Sequence, residues 1–194
     1  MKTVRMCSFI LGGLLCLSTP AFALFDGDYA PGNWTATTSG DGVIDTSGAP
    51  GSISMTSNNA GGSNLNQDFT IALFANGVVM FDWDFSTDDA GFFEGDEASW
   101  DPFGYLLNTT FFQLTLDNGG VNQSGSESIN VIIGDVFGFR ANSDDGLFGA
   151  ATTVIREFSG PLSSGTQSTP EPSTMILLGT GLVGLVAWKR KKAA

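Results

Sequence analysis

Apolar residues recur at every second position through the middle of this chain. Val79, Phe81, Trp83 and Phe85 make one apolar face, while Asp82, Asp84 and Ser86 occupy the other. Phe69, Ile71 and Leu73 alternate with Asp68, Thr70 and Ala72, and Phe112, Leu114 and Leu116 with Gln113 and Thr115. Ile129, Val131 and Ile133 alternate with Ser128 and Asn130, Phe137 and Phe139 follow a Gly134-Asp135 turn, and a last run extends from Ala151 to Phe158. A period of two belongs to strands with one buried face, and residues 24 to 160 never sustain the 3.6-residue period of an amphipathic helix. Ala75-Asn76-Gly77 carries the Asn-Gly hairpin signal between two of the runs. With weaker strands near 33–38 and 52–55, about seven to nine strands are expected, which predicts an all-β antiparallel sandwich over residues 24–160. Jelly-roll and Greek-key orders are not separable at this level.

The ends follow different rules. Lys2 and Arg5 precede an apolar run from Met6 to Leu17, then Ser18-Thr19-Pro20 and the small-x-small triplet Ala21-Phe22-Ala23. That order predicts a secretory signal peptide over residues 1–23, cut by signal peptidase after Ala23. Both cysteines, Cys7 and Cys16, fall inside it, so no disulfide or thiolate metal site is expected afterwards. At the other end, Ser/Thr/Gly-rich residues 161–169 read as a flexible linker. Pro170-Glu171-Pro172 follows, then an uncharged apolar run from Met175 to Trp188, then Lys189-Arg190-Lys191-Lys192. A single transmembrane helix is expected over 174–188, with Trp188 at the interface and the basic tail of 189–192 in the cytoplasm.

These C-terminal residues resemble the PEP-CTERM protein-sorting domain: Pro170-Glu171-Pro172, a short apolar helix containing Gly179, Gly181 and Gly184, and a terminal Arg/Lys cluster. The resemblance covers residues 170 to 192 and extends over the whole 170–194 segment as a sorting and anchor unit. It implies a Gram-negative host that makes exopolysaccharide or biofilm matrix. It also implies processing by an exosortase, an integral-membrane cysteine protease or transpeptidase acting near the Pro-Glu-Pro. The protein would thus be held in the inner membrane transiently, and then reside at the cell surface or outside the cell. The body is similar to a globular module recurrent in such proteins, on Gly77–Asp89, Asp101–Asn108 and Gly134–Arg140. That similarity implies a secreted β-sandwich and assigns it no biochemical role.

Charge narrows the chemistry. Between Leu24 and Pro172 there are 2 cations, Arg140 and Arg156, against all 20 carboxylates, a net 2 − 20 = −18. So acidic a surface repels phosphate backbones and excludes nucleic acid as a partner. The chain has no His, which removes the commonest general base and the usual nitrogen ligand of transition metals. Arg140 and Arg156 are expected to form ion pairs at strand edges.

The densest acidic stretch holds Asp82, Asp84, Asp88, Asp89, Glu94, Asp96, Glu97 and Asp101. Without Lys or His nearby, the natural counterion is a hard divalent cation, and Ca²⁺ takes its ligands from oxygen. Asp88, Asp89, Asp96 and Asp101 are the candidate ligands, with Asp144-Asp145-Gly146 a second supplier if the fold brings that loop close. The other reading is a solvated acidic loop. Trp34, Phe92, Phe93, Trp100, Phe103 and Tyr105 are candidate sugar platforms, Phe93 and Trp100 foremost, and Phe92, Phe93 and Trp100 share the acidic stretch; the alternative reading has these rings cap one end of the sandwich core. Asp82 and Asp84 share a strand face, the spacing of a glycosidase pair, but such pairs are common on acidic strands and no catalytic role is expected. Two functions remain: a non-catalytic surface or matrix protein associated with exopolysaccharide, or a lectin-like module, Ca²⁺-dependent in its sharpest form.

Overall fold

A computed structural model describes residues 24–89 and 97–163. The expected signal peptide with Ala21 and Ala23, the segment carrying Phe92, Phe93 and Asp96, and the residues from Pro170 onward lie outside the described residues.

Among the described residues, ten strands form two five-stranded antiparallel sheets packed face to face. The strands are β1 (Thr35–Thr37), β2 (Val43–Asp45), β3 (Ser52–Thr56), β4 (Leu65–Ala72) and β5 (Gly77–Thr87). They continue with β6 (Phe103–Leu107), β7 (Thr110–Gln113), β8 (Asn122–Val131), β9 (Val136–Ser143) and β10 (Ala151–Ser159). One sheet has the order β1-β4-β9-β6-β7 and the other β2-β3-β10-β5-β8. Only β2–β3 and β6–β7 are successive strands within a sheet; every other connection crosses between the sheets. Among the described residues, helical backbone is confined to single 3-10 turns at Gly27–Tyr29, Pro31–Asn33 and Glu97–Ser99, and no helix is long and apolar enough to cross a membrane.

The alternating runs point inward where expected. Val79, Phe81, Trp83 and Phe85 are buried, as are Phe69, Ile71 and Leu73 from the facing sheet. Trp34 lies at the centre, stacked on Phe69 at 4.7 Å and on Phe139 at 5.9 Å, with its Nε1 donating to the Tyr29 carbonyl. Offset and edge-on ring pairs of this kind add to the stabilisation from buried area alone. Among the described residues, every buried apolar side chain lies between Phe25 and Phe158, and those of the two sheets form one core cluster. Its two ends meet: Tyr29 donates its hydroxyl proton to the Pro161 carbonyl at 2.7 Å, and the Ser163 amide donates to Asp28 at 2.9 Å. The rest of the expected linker lies outside the described residues.

Four expectations need correction. Asn76-Gly77 makes no hairpin, because the runs it joins, β4 and β5, belong to different sheets. Leu73 and Val79 must both enter the core from opposite layers, and this forces a crossing. The Phe112-Leu114-Leu116 alternation is not one buried face: β7 stops at Gln113, leaving Phe112 and Leu116 exposed. Ile133 likewise sits exposed in the turn before β9. Arg140 and Arg156 do form ion pairs, to Asp68 and Asp84, but on the central strands β9 and β10 and not at edges. Each Arg reaches a carboxylate on a neighbouring strand, Asp68 on β4 for Arg140 and Asp84 on β5 for Arg156.

Candidate functional site

One end of the sandwich gathers the C-terminal ends of β3, β5 and β9 with the starts of β6 and β10. The register fixes this: Ala151 pairs with Thr87, Thr152 with Thr56, and Phe103 with Ala141. Asp101, two residues before β6, lies at the centre of this end and is only 1% exposed. Around it stand Ser57 after β3, Thr87 and Asp89 at the end of β5, and Ser143 with Asp145 at the end of β9. All but Asp145 are buried.

Backbone contacts hold these loops together. The Asp88 amide donates to the Ala150 carbonyl at 3.2 Å, and the Asp144 amide to the Trp100 carbonyl at 2.7 Å. Gly149 makes the first contact possible, because a Cβ there would stand 2.3 Å from the backbone of Asp88 and Asp89. Within the cluster, the Asp89 amide donates to Thr87 Oγ1 at 3.0 Å, and Thr87 Oγ1 donates to Asp101 Oδ2 at 3.4 Å. The Ser57 and Ser143 hydroxyls accept the amides of Ala151 and Gly146, which leaves their own protons free for a neighbour.

The charge at Asp101 is costly. Burial pushes its carboxyl up to about 7, the Ser57 and Ser143 hydroxyls pull it back, and the carboxylates of Asp89 and Asp145 push it further up. Asp101 Oδ1 and Asp145 Oδ2 are shut away from solvent with no hydrogen-bond donor among the described residues. Desolvation also raises Asp144, with Asp117 and Asp145 adding to the effect. A proton or a cation relieves such a cluster, and oxygen-only ligands suit a hard cation. Among the described residues, however, no group of three or more carboxylates is arranged to enclose a metal ion.

Of the expected metal ligands, the structure brings Asp89 and Asp101 together, and Asp145 joins them from the loop proposed as a second supplier. Asp88 is exposed next to them, and Asp96 lies outside the described residues. Ser57, Thr87 and Ser143 were not anticipated; single hydroxyl residues at strand ends carry no signal until the topology is known. The aromatic candidates divide similarly. Trp34 and Phe103 are core residues, Trp100 is partly exposed beside Asp101, and Tyr105 stacks on Phe112 at 4.8 Å. Phe93 lies outside the described residues.

A second feature occupies the outer face of the β5 sheet. Asp84, Ser86, Asn122, Ser124, Thr152 and Val154 line a shallow open groove of about 350 Å³. Arg156 neutralises Asp84 at its margin. Asp82 and Asp84 both face outward on this open surface, which offers none of the enclosure that glycosidic chemistry uses.

Comparison with known proteins locates a PEP-CTERM protein-sorting motif at residues 168–191 of this chain. No curated protein matches the chain. Among solved structures, the sandwich is similar to a family 35 carbohydrate-binding module from Clostridium thermocellum, at 11% identity and a TM-score of 0.35 over 64% of this chain and 92% of that one. It is also similar to a carbohydrate-binding module of Cellvibrio mixtus lichenase 5A in complex with cellotriose, at 12% identity and a TM-score of 0.36 over 68% and 95%.

Proposed function

We propose that this is a non-catalytic exported protein of the bacterial surface or exopolysaccharide matrix, delivered there by its own two ends. The carrying observation is the PEP-CTERM sorting motif at residues 168–191, which implies export and exosortase processing. In this reading signal peptidase removes residues 1–23 after Ala23 and residues 24–160 fold outside the inner membrane. The segment 174–188 holds the chain in that membrane while 189–192 stay in the cytoplasm. Exosortase then acts near Pro170-Glu171-Pro172 and frees the sandwich for the surface or matrix. The test is fractionation of the native host expressing the chain or a triple Pro170→Ala, Glu171→Ala, Pro172→Ala variant. The variant is expected to accumulate at full length in the inner membrane. Finding the unaltered chain in the outer fraction with residues 173–194 intact would overturn the reading.

A second reading is favoured by Asp101: a lectin-like module in which Ca²⁺ organises the acidic end. Asp89 and Asp101 are its inner ligands, with Asp88 and Asp96 completing the shell, and Phe93 and Trp100 offer the sugar a stacking surface. The support is a buried carboxylate oxygen with no donor and two further carboxylates beside it. Thermal unfolding of residues 24–169 with Ca²⁺ and then with EDTA tests the ion. A site at a hundred times its dissociation constant adds about 2.7 kcal/mol, which moves the midpoint by several degrees. A glycan array with and without chelator tests the sugar, and no binding in either condition leaves the first reading alone.

A further inference from the structure

Sheet edges are the places where one chain can bond to another, and among the described residues three of the four edges are short. β1 and β2 have three residues each and β7 has four. The fourth edge, β8, runs for ten residues from Asn122 to Val131. Long flat edges are normally blunted with charges or prolines because they recruit other strands. β8 has no proline and a single charge, Glu127, in a domain otherwise crowded with carboxylates.

The hydrogen-bond pattern shows which groups this edge offers. The Thr87 amide donates to the Val121 carbonyl at 2.9 Å, and the β5–β8 register continues without interruption from Ser86–Asn122 to Gly77–Val131. In an antiparallel ladder alternate residues direct both backbone groups to the same neighbour. Gln123, Gly125, Glu127 and Ile129 therefore bond to β5. Asn122, Ser124, Ser126, Ser128 and Asn130 point N–H and C=O away from the sheet, and all five residues are exposed.

That outward set reads Asn-Ser-Ser-Ser-Asn, the same in both directions about Ser126. Two β8 strands brought together antiparallel with Ser126 opposite Ser126 would pair Ser124 with Ser128 and Asn122 with Asn130. Each of those pairs exchanges two bonds, about ten in all. On the inner face the same register sets Glu127 of one copy opposite Gly125 of the other.

Gly125 is where the fold has an unmet need. The Trp83 indole lies over it, with Nε1 only 2.9 Å from where a Cβ would be, so no side chain fits there. That indole N–H is buried and has no hydrogen-bond partner among the described residues. A carboxylate arriving from the residue directly across the new ladder would supply the acceptor, and the pair would be one of the close, non-hydrogen-bonded kind, with Cα atoms about 4.5 Å apart.

We propose that β8 is a self-association edge: two copies of this chain join β8 to β8 antiparallel about Ser126, and the Glu127 carboxylate of each accepts the Trp83 indole N–H of the other. The partner is a second copy because the outward face and the register are self-complementary. Since each copy carries a large negative charge, association strengthens as salt rises, the reverse of an interface held by opposite charges.

The experiment is sedimentation equilibrium of residues 24–169 from micromolar to millimolar protein in 0.05 and 0.5 M salt, with the Trp83 indole proton followed by NMR. The expected result is a monomer–dimer equilibrium tighter by tenfold or more at the higher salt, with that proton shifting as dimer forms. Ser126→Pro removes only an outward N–H and should abolish both effects while leaving the unfolding midpoint unchanged. Glu127→Ala, which leaves the backbone intact, should weaken the dimer at least tenfold and remove the indole shift. A monomer at millimolar concentration in 0.5 M salt overturns the proposal, as does a dimer that either substitution leaves untouched.

Discussion

Replacing Asp101 by Asn removes one ionisation from the interior of the acidic end and leaves a side chain of the same shape. In the folded protein burial raises this carboxyl from its ordinary 3.8 to about 7. The folded state therefore holds the proton more tightly than the unfolded chain does. Its contribution favours folding fully below about pH 4 and is lost as the pH rises to about 7. Between about pH 5 and 6.5 the folded state binds close to one proton more, so stability falls by about 1.4 kcal/mol per pH unit from this group. Over the whole interval the loss approaches about 4 kcal/mol. The substituted side chain cannot ionise, and its amide still presents an oxygen to Thr87 Oγ1 and a donor group toward the position of the orphaned Oδ1. Urea unfolding of residues 24–169 and of Asp101→Asn, in EDTA from pH 4 to 8, compares the two directly. Carboxylates remote from this cluster are common to both proteins and cancel in the difference. The substitution should be near neutral at pH 4 and increasingly stabilising toward pH 8. Parallel stability profiles across that range would refute a buried, proton-holding Asp101. Saturating Ca²⁺, if the ion binds here, should erase the pH-dependent gap by stabilising the charged form of the unaltered chain alone.

Three further outcomes follow from contacts described above. Trp34→Ala empties the slot between Phe69 and Phe139 and should cost about 3–5 kcal/mol, read from the urea midpoint at constant m-value. Arg140 reaches Asp68 with two bonds of 2.7 Å and lies 5.7 Å over the Phe111 ring. With both charges partly exposed, a double-mutant cycle using Arg140→Met and Asp68→Asn should return a coupling of about 1 kcal/mol, and a value indistinguishable from zero would contradict the observed geometry. Gly149→Ala should destabilise by about 1–3 kcal/mol and reduce the pH dependence assigned to Asp101, because it pushes the 144–150 loop off the Asp88–Asp89 backbone. Chemical denaturation at pH 5 and pH 7.5 reads both effects at once.

The inward faces of β4, β5 and β9 were legible because each sets large apolar residues against small or polar ones at a period of two. β6 was missed for the opposite reason. Phe103-Gly104-Tyr105-Leu106-Leu107 is apolar on both sides, since Leu106 on the outer face is itself buried. The first half of β8 was missed because an edge strand with small polar residues on its outer face and Gln123, Gly125 and Glu127 on its inner one shows no contrast. Asn76-Gly77 misled because local turn chemistry does not know which sheet the next strand joins. The acidic end was legible in composition and not in geometry. Asp89 and Asp101 could be suspected from crowding, but their burial, and the arrival of Asp145, depend on sheet crossings that no local pattern encodes.

The junction at which the chain leaves the sandwich has a mechanical meaning. Gly160 and Pro161 follow directly on β10, which sits in the middle of its sheet with β3 bonded on one side and β5 on the other. Tension applied through the C-terminal tail therefore does not peel an edge strand one bond at a time. It loads two ladders in shear together, in series with the clasp that Tyr29 and Asp28 make on Pro161 and Ser163. A domain tethered by that tail would hold its shape against drag until both ladders slip at once.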